Sequence, residues 1–204
     1  MKDKTYKNLN FIYISIQESL NAMTIISKEL TIEMRKAQVT GGVLGITLVL
    51  ILILPYYLIF GLAELEKVRH FFSLSIFIPS IIIGIFVHEF IHGLTWAVAA
   101  KIGLANIKFG FQLKSLTPYA HSKLPMKTNA YRIGAAMPLL LLGVLPYLFA
   151  LISNNPYVFG FGLFFCFVAS GDIMILWLIR KLLGYQIIQD HPSKGGVILL
   201  ENQE

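Results

Sequence analysis

From Phe71 to Ala100 the chain runs thirty residues with one charged side chain, Glu89, and two histidines, His88 and His92. As a helix this run exceeds the ~30 Å hydrocarbon core of a bilayer, so it must tilt, bend or protrude. Pro79 and Gly84 are the natural places for a bend. Its polar residues form a His-Glu-x-x-His pattern, His88-Glu89-Phe90-Ile91-His92. Helical residues four apart share a face, so both imidazoles can point at one zinc ion, and Glu89 between them can accept a proton from water. Each ionisable group in hydrocarbon costs at least a few kcal/mol unless it is paired or bound to metal. The competing reading is a polar helix–helix contact without metal.

Composition agrees with a membrane setting. Hydrophobic residues make up 56% and charged residues 14% of the 204, against ~45–50% and ~25% in soluble domains. The expected fold class is an all-α membrane bundle of about four transmembrane helices with a small cytoplasmic-side β-hairpin. The single cysteine, Cys166, lies in an apolar run and reads as a small buried hydrophobe. It excludes a disulfide within the chain and a cysteine-based zinc site. Met1–Asn10 is charged and precedes no small-residue cleavage site, so no signal peptide is expected. The net charge of +6 does not point to nucleic acid, because the cations fall between apolar segments and report topology instead.

The spans are expected at about 43–62, 71–100, 133–153 and 157–179, within a membrane domain covering 41–184. An N-terminal arm, 1–40, and a C-terminal tail, 185–204, flank it. In the arm, Phe11–Ile26 reads as a surface-lying helix and Leu30–Met34 alternates like a short strand. Ala63–His70 reads as a short polar connection. Ile107–Lys114 alternates strictly, and Thr117-Pro118-Tyr119 supplies a turn, so a hairpin is expected at about 105–126. Ser153–Pro156 is a tight turn, Ser170-Gly171-Asp172 interrupts the last span, and part of the tail around Gly196–Leu200 reads as strand. The arm and the stretch Lys101–Arg132 carry six basic residues each, and Arg180, Lys181 and Lys194 follow the last span, whereas the opposite side has only Lys67 and Arg69. The positive-inside rule then puts both termini in the cytoplasm, and the expected location is a bacterial cell membrane.

This topology fixes depths. Measured from the cytoplasmic ends of their spans, His92, His88 and Asp172 lie at roughly 13, 20 and 12 Å. Asp172 is the only acid of the last two spans and can sit level with His92. Catalytic zinc takes three protein ligands and keeps one open position, a rule that His88, His92 and Asp172 satisfy. The alternatives for Asp172 are an ion pair with Arg132 or a helix N-cap.

At these residues the chain resembles the zincin peptidases of the membrane, a family similar to the site-2 protease clan of intramembrane metalloproteases. The likeness rests on His88-Glu89-Phe90-Ile91-His92-Gly93, Leu116-Thr117-Pro118-Tyr119-Ala120-His121, Tyr131-Arg132-Ile133 with Pro138, Ser170-Gly171-Asp172 and Asp190-His191-Pro192-Ser193. It implies Zn2+ on His88, His92 and Asp172, Glu89 as general base, and a site entered from the cytoplasmic side. The hairpin is similar in placement to the re-entrant β-element of that clan. Gly171 precedes Asp172 here, whereas the clan usually places a glycine after its aspartate.

The expected activity is zinc-dependent hydrolysis of a membrane protein or peptide presented as an extended segment, with the lipid bilayer as the other partner. The edge Ile107–Leu113 could bind such a segment by strand addition. His121 reads either as a substrate contact or as an exposed loop histidine, and Asp190-His191 as a surface turn before Pro192. Two other functions compete: an inactive zinc-binding membrane scaffold, and a transporter or proton relay using the same four polar residues. The relay would need a polar path to the far side, which Phe71–Val87 and Tyr157–Ala169 scarcely offer.

Overall fold

The computed structural model describes residues 24–113 and 117–202. The reading of Phe11–Ile26 as a helix falls largely outside them, as does Leu116; Thr24–Ile26 belongs to a strand.

Four helical columns are long and apolar enough to cross a membrane, Met34–His70, Leu74–Ala99, Thr128–Ser153 and Pro156–Leu178, which suggests a membrane protein. Their outer faces are aliphatic and aromatic: Leu50, Ile83 and Phe86 are each more than half exposed. The first helix, α1 (Met34–Lys67), begins well before the expected span. Met34, Arg35, Lys36, Ala37 and Gln38 all favour helix, so the helix outruns the apolar stretch that hydropathy detects. Gly61, with φ 81° and ψ 177°, breaks it near the far end, and only glycine adopts that conformation without strain. The expected polar connection Ala63–His70 is therefore mostly helical, closing in a 3₁₀ turn at Val68–His70.

Helix α2 (Leu74–Ala99) carries the His-Glu-x-x-His pattern. The third column joins α3 (Thr128–Pro138) to α4 (Leu145–Ser153) through a π-helical turn, Leu139–Val144. Pro146 returns no N–H and its ring crowds the preceding turn, and the widened turn lies directly before it. Asn154 then adopts the left-handed conformation, and the Asn155 side chain caps the next helix by accepting from the amides of Tyr157 and Val158. This is the tight turn expected at Ser153–Pro156. The last column divides at Ala169 into α5 (Pro156–Val168) and α6 (Ser170–Leu178), and Asp172 stands in the first turn of α6.

The hairpin is present as β2 (Ile107–Gln112) and β3 (Thr117–Ser122), antiparallel with Phe109 opposite Ala120. It docks on α2 at Gly93, where a Cβ would overlap Phe109 and Ile107. A second sheet was not expected. Strands β1 (Thr24–Ile32), β4 (Met126–Lys127), β5 (Ile187–Asp190) and β6 (Gly195–Asn202) form an antiparallel sheet in the order β1-β6-β5-β4. An all-α description thus understates the strands: the fold is mostly helical, with four long apolar helices and small antiparallel sheets. One buried cluster, including Trp96, Tyr131, Ile179, Ile188 and Val197, packs α2, α3 and the four-stranded sheet together. Another, with Tyr56, Tyr147, Phe159 and Leu163, fills the opposite end of the bundle.

Candidate metal centre

The spacing of four on α2 stacks His88 over His92 on the face turned into the bundle, and both are buried. Their Nε2 atoms lie 3.2 Å apart. The bend at Ala169 starts α6 so that Asp172 meets this pair: Oδ2 is 3.2 Å from His88 Nε2 and Oδ1 is 3.2 Å from His92 Nε2. The three residues that the sequence offered as ligands, of which Asp172 and His92 were expected at one depth, are brought together, with one ligating atom from each lying within 4.8 Å of the others. Arg132, the alternative partner for Asp172, instead donates to the carbonyl oxygens of Ile179 and Leu182 at 2.6 and 2.8 Å. Asp172 makes no capping hydrogen bond to its own helix.

The protonation pattern follows from the second contact of His92. Its Nδ1 lies 2.9 Å from the Gly134 carbonyl oxygen, which only accepts, so Nδ1 carries the proton. In the neutral ring Nε2 then presents a lone pair to the cluster. Trp96 stacks on the His92 ring at 5.2 Å and donates Nε1–H to the Tyr131 carbonyl oxygen at 3.0 Å, holding the imidazole in plane.

A divalent cation suits this donor set. Zinc ligands about 2.0–2.1 Å from the metal at tetrahedral angles stand about 3.3 Å apart, close to the spacings above. Without a cation, lone pairs and a carboxylate face one another in a buried place. Among the described residues, Asp172 Oδ2 has no hydrogen-bond partner despite its approach to His88, and neither does His88 Nδ1.

Glu89 sits beside this cluster, and the Ala120 amide reaches its carboxylate. It lines two spaces. One is a cavity of about 990 Å³ that also takes in His88, His92, His121, Asp172 and Asp190. The other is an apolar groove of about 910 Å³ between α2 and the hairpin, with Phe86, Phe90, Phe109, Phe111 and Tyr119. Among the described residues Glu89 is the one carboxylate lining the groove.

Sequence reasoning missed Asp190. Instead of a surface turn, its side chain is only 10% exposed, and Oδ2 accepts from the Ser122 amide at 2.8 Å. The Tyr131 hydroxyl also reaches this carboxylate, and His121 Nδ1 lies 3.6 Å away. Burial pushes the Asp190 carboxyl above its ordinary pKa, while the Ser122 amide, His121 and Tyr131 pull the other way. His191 is likewise packed: Nδ1 accepts from the amides of Ser193 and Lys194, and Nε2 lies 3.6 Å from Glu29. These residues lie beyond the last span, where depth arithmetic stops, and an acid before His-Pro reads locally as a turn.

The outer edge of β3 is largely occupied. The Asn106–Lys123 backbone bond fixes the alternation, which turns the amides of Ala120 and Ser122 away from β2. Glu89 takes the first and Asp190 the second, and Pro118 has none to offer. Among the described residues β2 pairs with β3 alone, which leaves its other edge without a strand.

A protein-family model described as "Putative zincin peptidase" matches residues 81–183, a stretch that includes His88, Glu89, His92 and Asp172. No curated protein and no solved structure matches the chain.

Proposed function

The chain belongs to this zincin peptidase family, and on that premise we propose that it is an intramembrane zinc metallopeptidase cleaving membrane-associated peptides near the cytoplasmic face. The observation that carries the reading is the convergence of His88, His92 and Asp172, with Glu89 beside them. In this reading the four apolar columns cross the bilayer with both termini cytoplasmic; the lining of the cavity by His121, Asp190, His191 and Lys194, outside the four columns, supports entry from that side. The His-Glu-x-x-His helix, the aspartate from a later helix and the docked hairpin together favour kinship with the site-2 protease clan.

His88, His92 and Asp172 would hold the ion. Zinc supplies Lewis acidity, which makes water easier to deprotonate and polarises a carbonyl. Glu89 takes one proton from the attacking water, whose oxygen bonds to the scissile carbonyl carbon. As the carbon–nitrogen bond breaks, Glu89 returns that proton to the departing amine. The His92–Gly134 bond keeps the imidazole neutral and oriented throughout. The apolar groove receives the hydrophobic flank of the substrate, placing Glu89 where the groove meets the cavity.

The test uses wild-type protein and the Glu89→Gln, His92→Ala and Asp172→Ala variants, purified in detergent. Bound zinc is measured, and cells carrying each variant are searched for a membrane protein that accumulates. Zinc should stay near one per chain in Glu89→Gln and fall in the other two, with cleavage lost in all three. Unchanged zinc in both ligand variants, or undiminished cleavage by Glu89→Gln, refutes the assignment.

A further inference from the structure

The cavity that takes in Glu89 holds a third histidine whose surroundings the hydrolytic scheme does not yet use. His121 lies on β3 directly after Ala120, whose amide binds the Glu89 carboxylate. It is partly exposed, at 27%, and it lines the cavity beside His88 and Asp172. Its Nδ1 faces Asp190, and Asp190 is held in turn by the Ser122 amide and the Tyr131 hydroxyl. Tyr131 is itself tied to the metal centre, since its ring stacks on Trp96 and its carbonyl oxygen accepts from Trp96, which stacks on His92. A nearly buried carboxylate with its own anchors thus stands 3.6 Å from one nitrogen of a histidine at the cavity wall, close enough for an ion pair. In the imidazolium form Nδ1 donates toward Asp190, and Nε2 remains a donor for whatever occupies the cavity.

We propose that His121, oriented by Asp190, donates its Nε2–H to the scissile carbonyl oxygen as that oxygen gains negative charge. Asp190 and Tyr131 are positioning residues. His121 keeps its proton, so the bonds made and broken are those already given, with Glu89 alone moving a proton. A preorganised donor aimed at developing charge is among the strongest devices a hydrolase has. The competing account is a latch that merely stitches β3 to β5 and α3.

This inference rests on the metallopeptidase reading, and the experiment separates the two. The zinc-loaded full chain in detergent is titrated calorimetrically with two probes. A dipeptide phosphonamidate presents tetrahedral anionic oxygens, and acetohydroxamate binds metal without a tetrahedral centre. In His121→Ala, phosphonamidate affinity should fall roughly tenfold or more, the value of one charge-assisted hydrogen bond, with zinc content and acetohydroxamate affinity within about twofold of wild type. His121→Gln, which retains a donor, should recover part of the loss, and Asp190→Asn should fall between. Equal loss for both probes in His121→Ala would mean a latch and overturn the proposal, as would no loss for either. If the unsubstituted protein binds neither zinc nor the probes, the metallopeptidase reading itself fails, and the role of His121 with it.

Discussion

His92 donates Nδ1–H to the carbonyl oxygen of Gly134 at 2.9 Å, a bond from α2 to α3 that aims the opposite ring nitrogen at Asp172. The geometry of the metal centre therefore depends on a backbone oxygen of a helix that contributes no ligand. Gly134 has a second duty, because Trp96 lies directly over it and a Cβ there would overlap the indole.

Gly134→Ala should consequently weaken zinc binding without touching a ligand. Displaced Trp96 loses its stack on His92. Disturbed outer contacts of a metal-bound histidine typically cost 10–100-fold in affinity, and the overpacking itself about 1–3 kcal/mol of stability. Competition with a fluorescent chelator reads the first and thermal unfolding in detergent the second. Wild-type zinc affinity in this variant would show that the Trp96 stack does not hold the His92 ring.

Removing the metal should loosen the site end of the bundle. Three electron-rich groups then face one another at 3.2 Å. A ligand present at a hundred times its Kd stabilises by about 2.7 kcal/mol, so stripping with 1,10-phenanthroline should lower the unfolding temperature by several degrees and re-added zinc should restore it. Asp172→Ala should show little response to either treatment. A wild-type protein indifferent to the chelator would contradict the donor set described here.

Asp190 gives a stability profile of known sign. Burial raises its pKa in the folded chain, so the fold binds the proton more tightly than the unfolded chain does. The associated stabilisation is complete below the ordinary aspartate value of about 4 and is lost as pH rises through the raised one. Asp190→Asn cannot ionise, so the advantage of wild type over it should be greatest in acid and shrink towards neutrality. Unfolding temperatures of both proteins across that range test this, and a constant difference would argue against a raised pKa.

The hairpin should set cleavage preference. Phe109, Phe111 and Tyr119 line the groove that ends at Glu89, and the free edge of β2 is available for strand pairing. Replacing Phe109 or Phe111 with Ala should change which residues are accepted beside the cut, read by mass spectrometry of the products, while zinc content stays level. An unaltered product pattern would remove the hairpin from recognition.

The sequence by itself determined the helical scaffold and the depth of the polar groups. Four apolar runs need no knowledge of their neighbours to be read as spans, and a fixed rise per residue converts distance from a charged end into depth. That arithmetic set Asp172 level with His92 before any contact was known, and strict alternation located the hairpin. Tertiary structure alone decided what depth and period do not encode. Strands such as Met126–Lys127 and Ile187–Asp190 are too short to show a period, and they exist because the second pairs with β6 and the first pairs with the second. Asp190 is buried because β3, β5 and α3 meet around it. The Gly134 carbonyl faces His92 because α3 crosses α2 at that residue. Local sequence fixes what an element is and how far along it each polar group stands, whereas a hydrogen bond between distant elements depends on how they pack, which no single segment specifies.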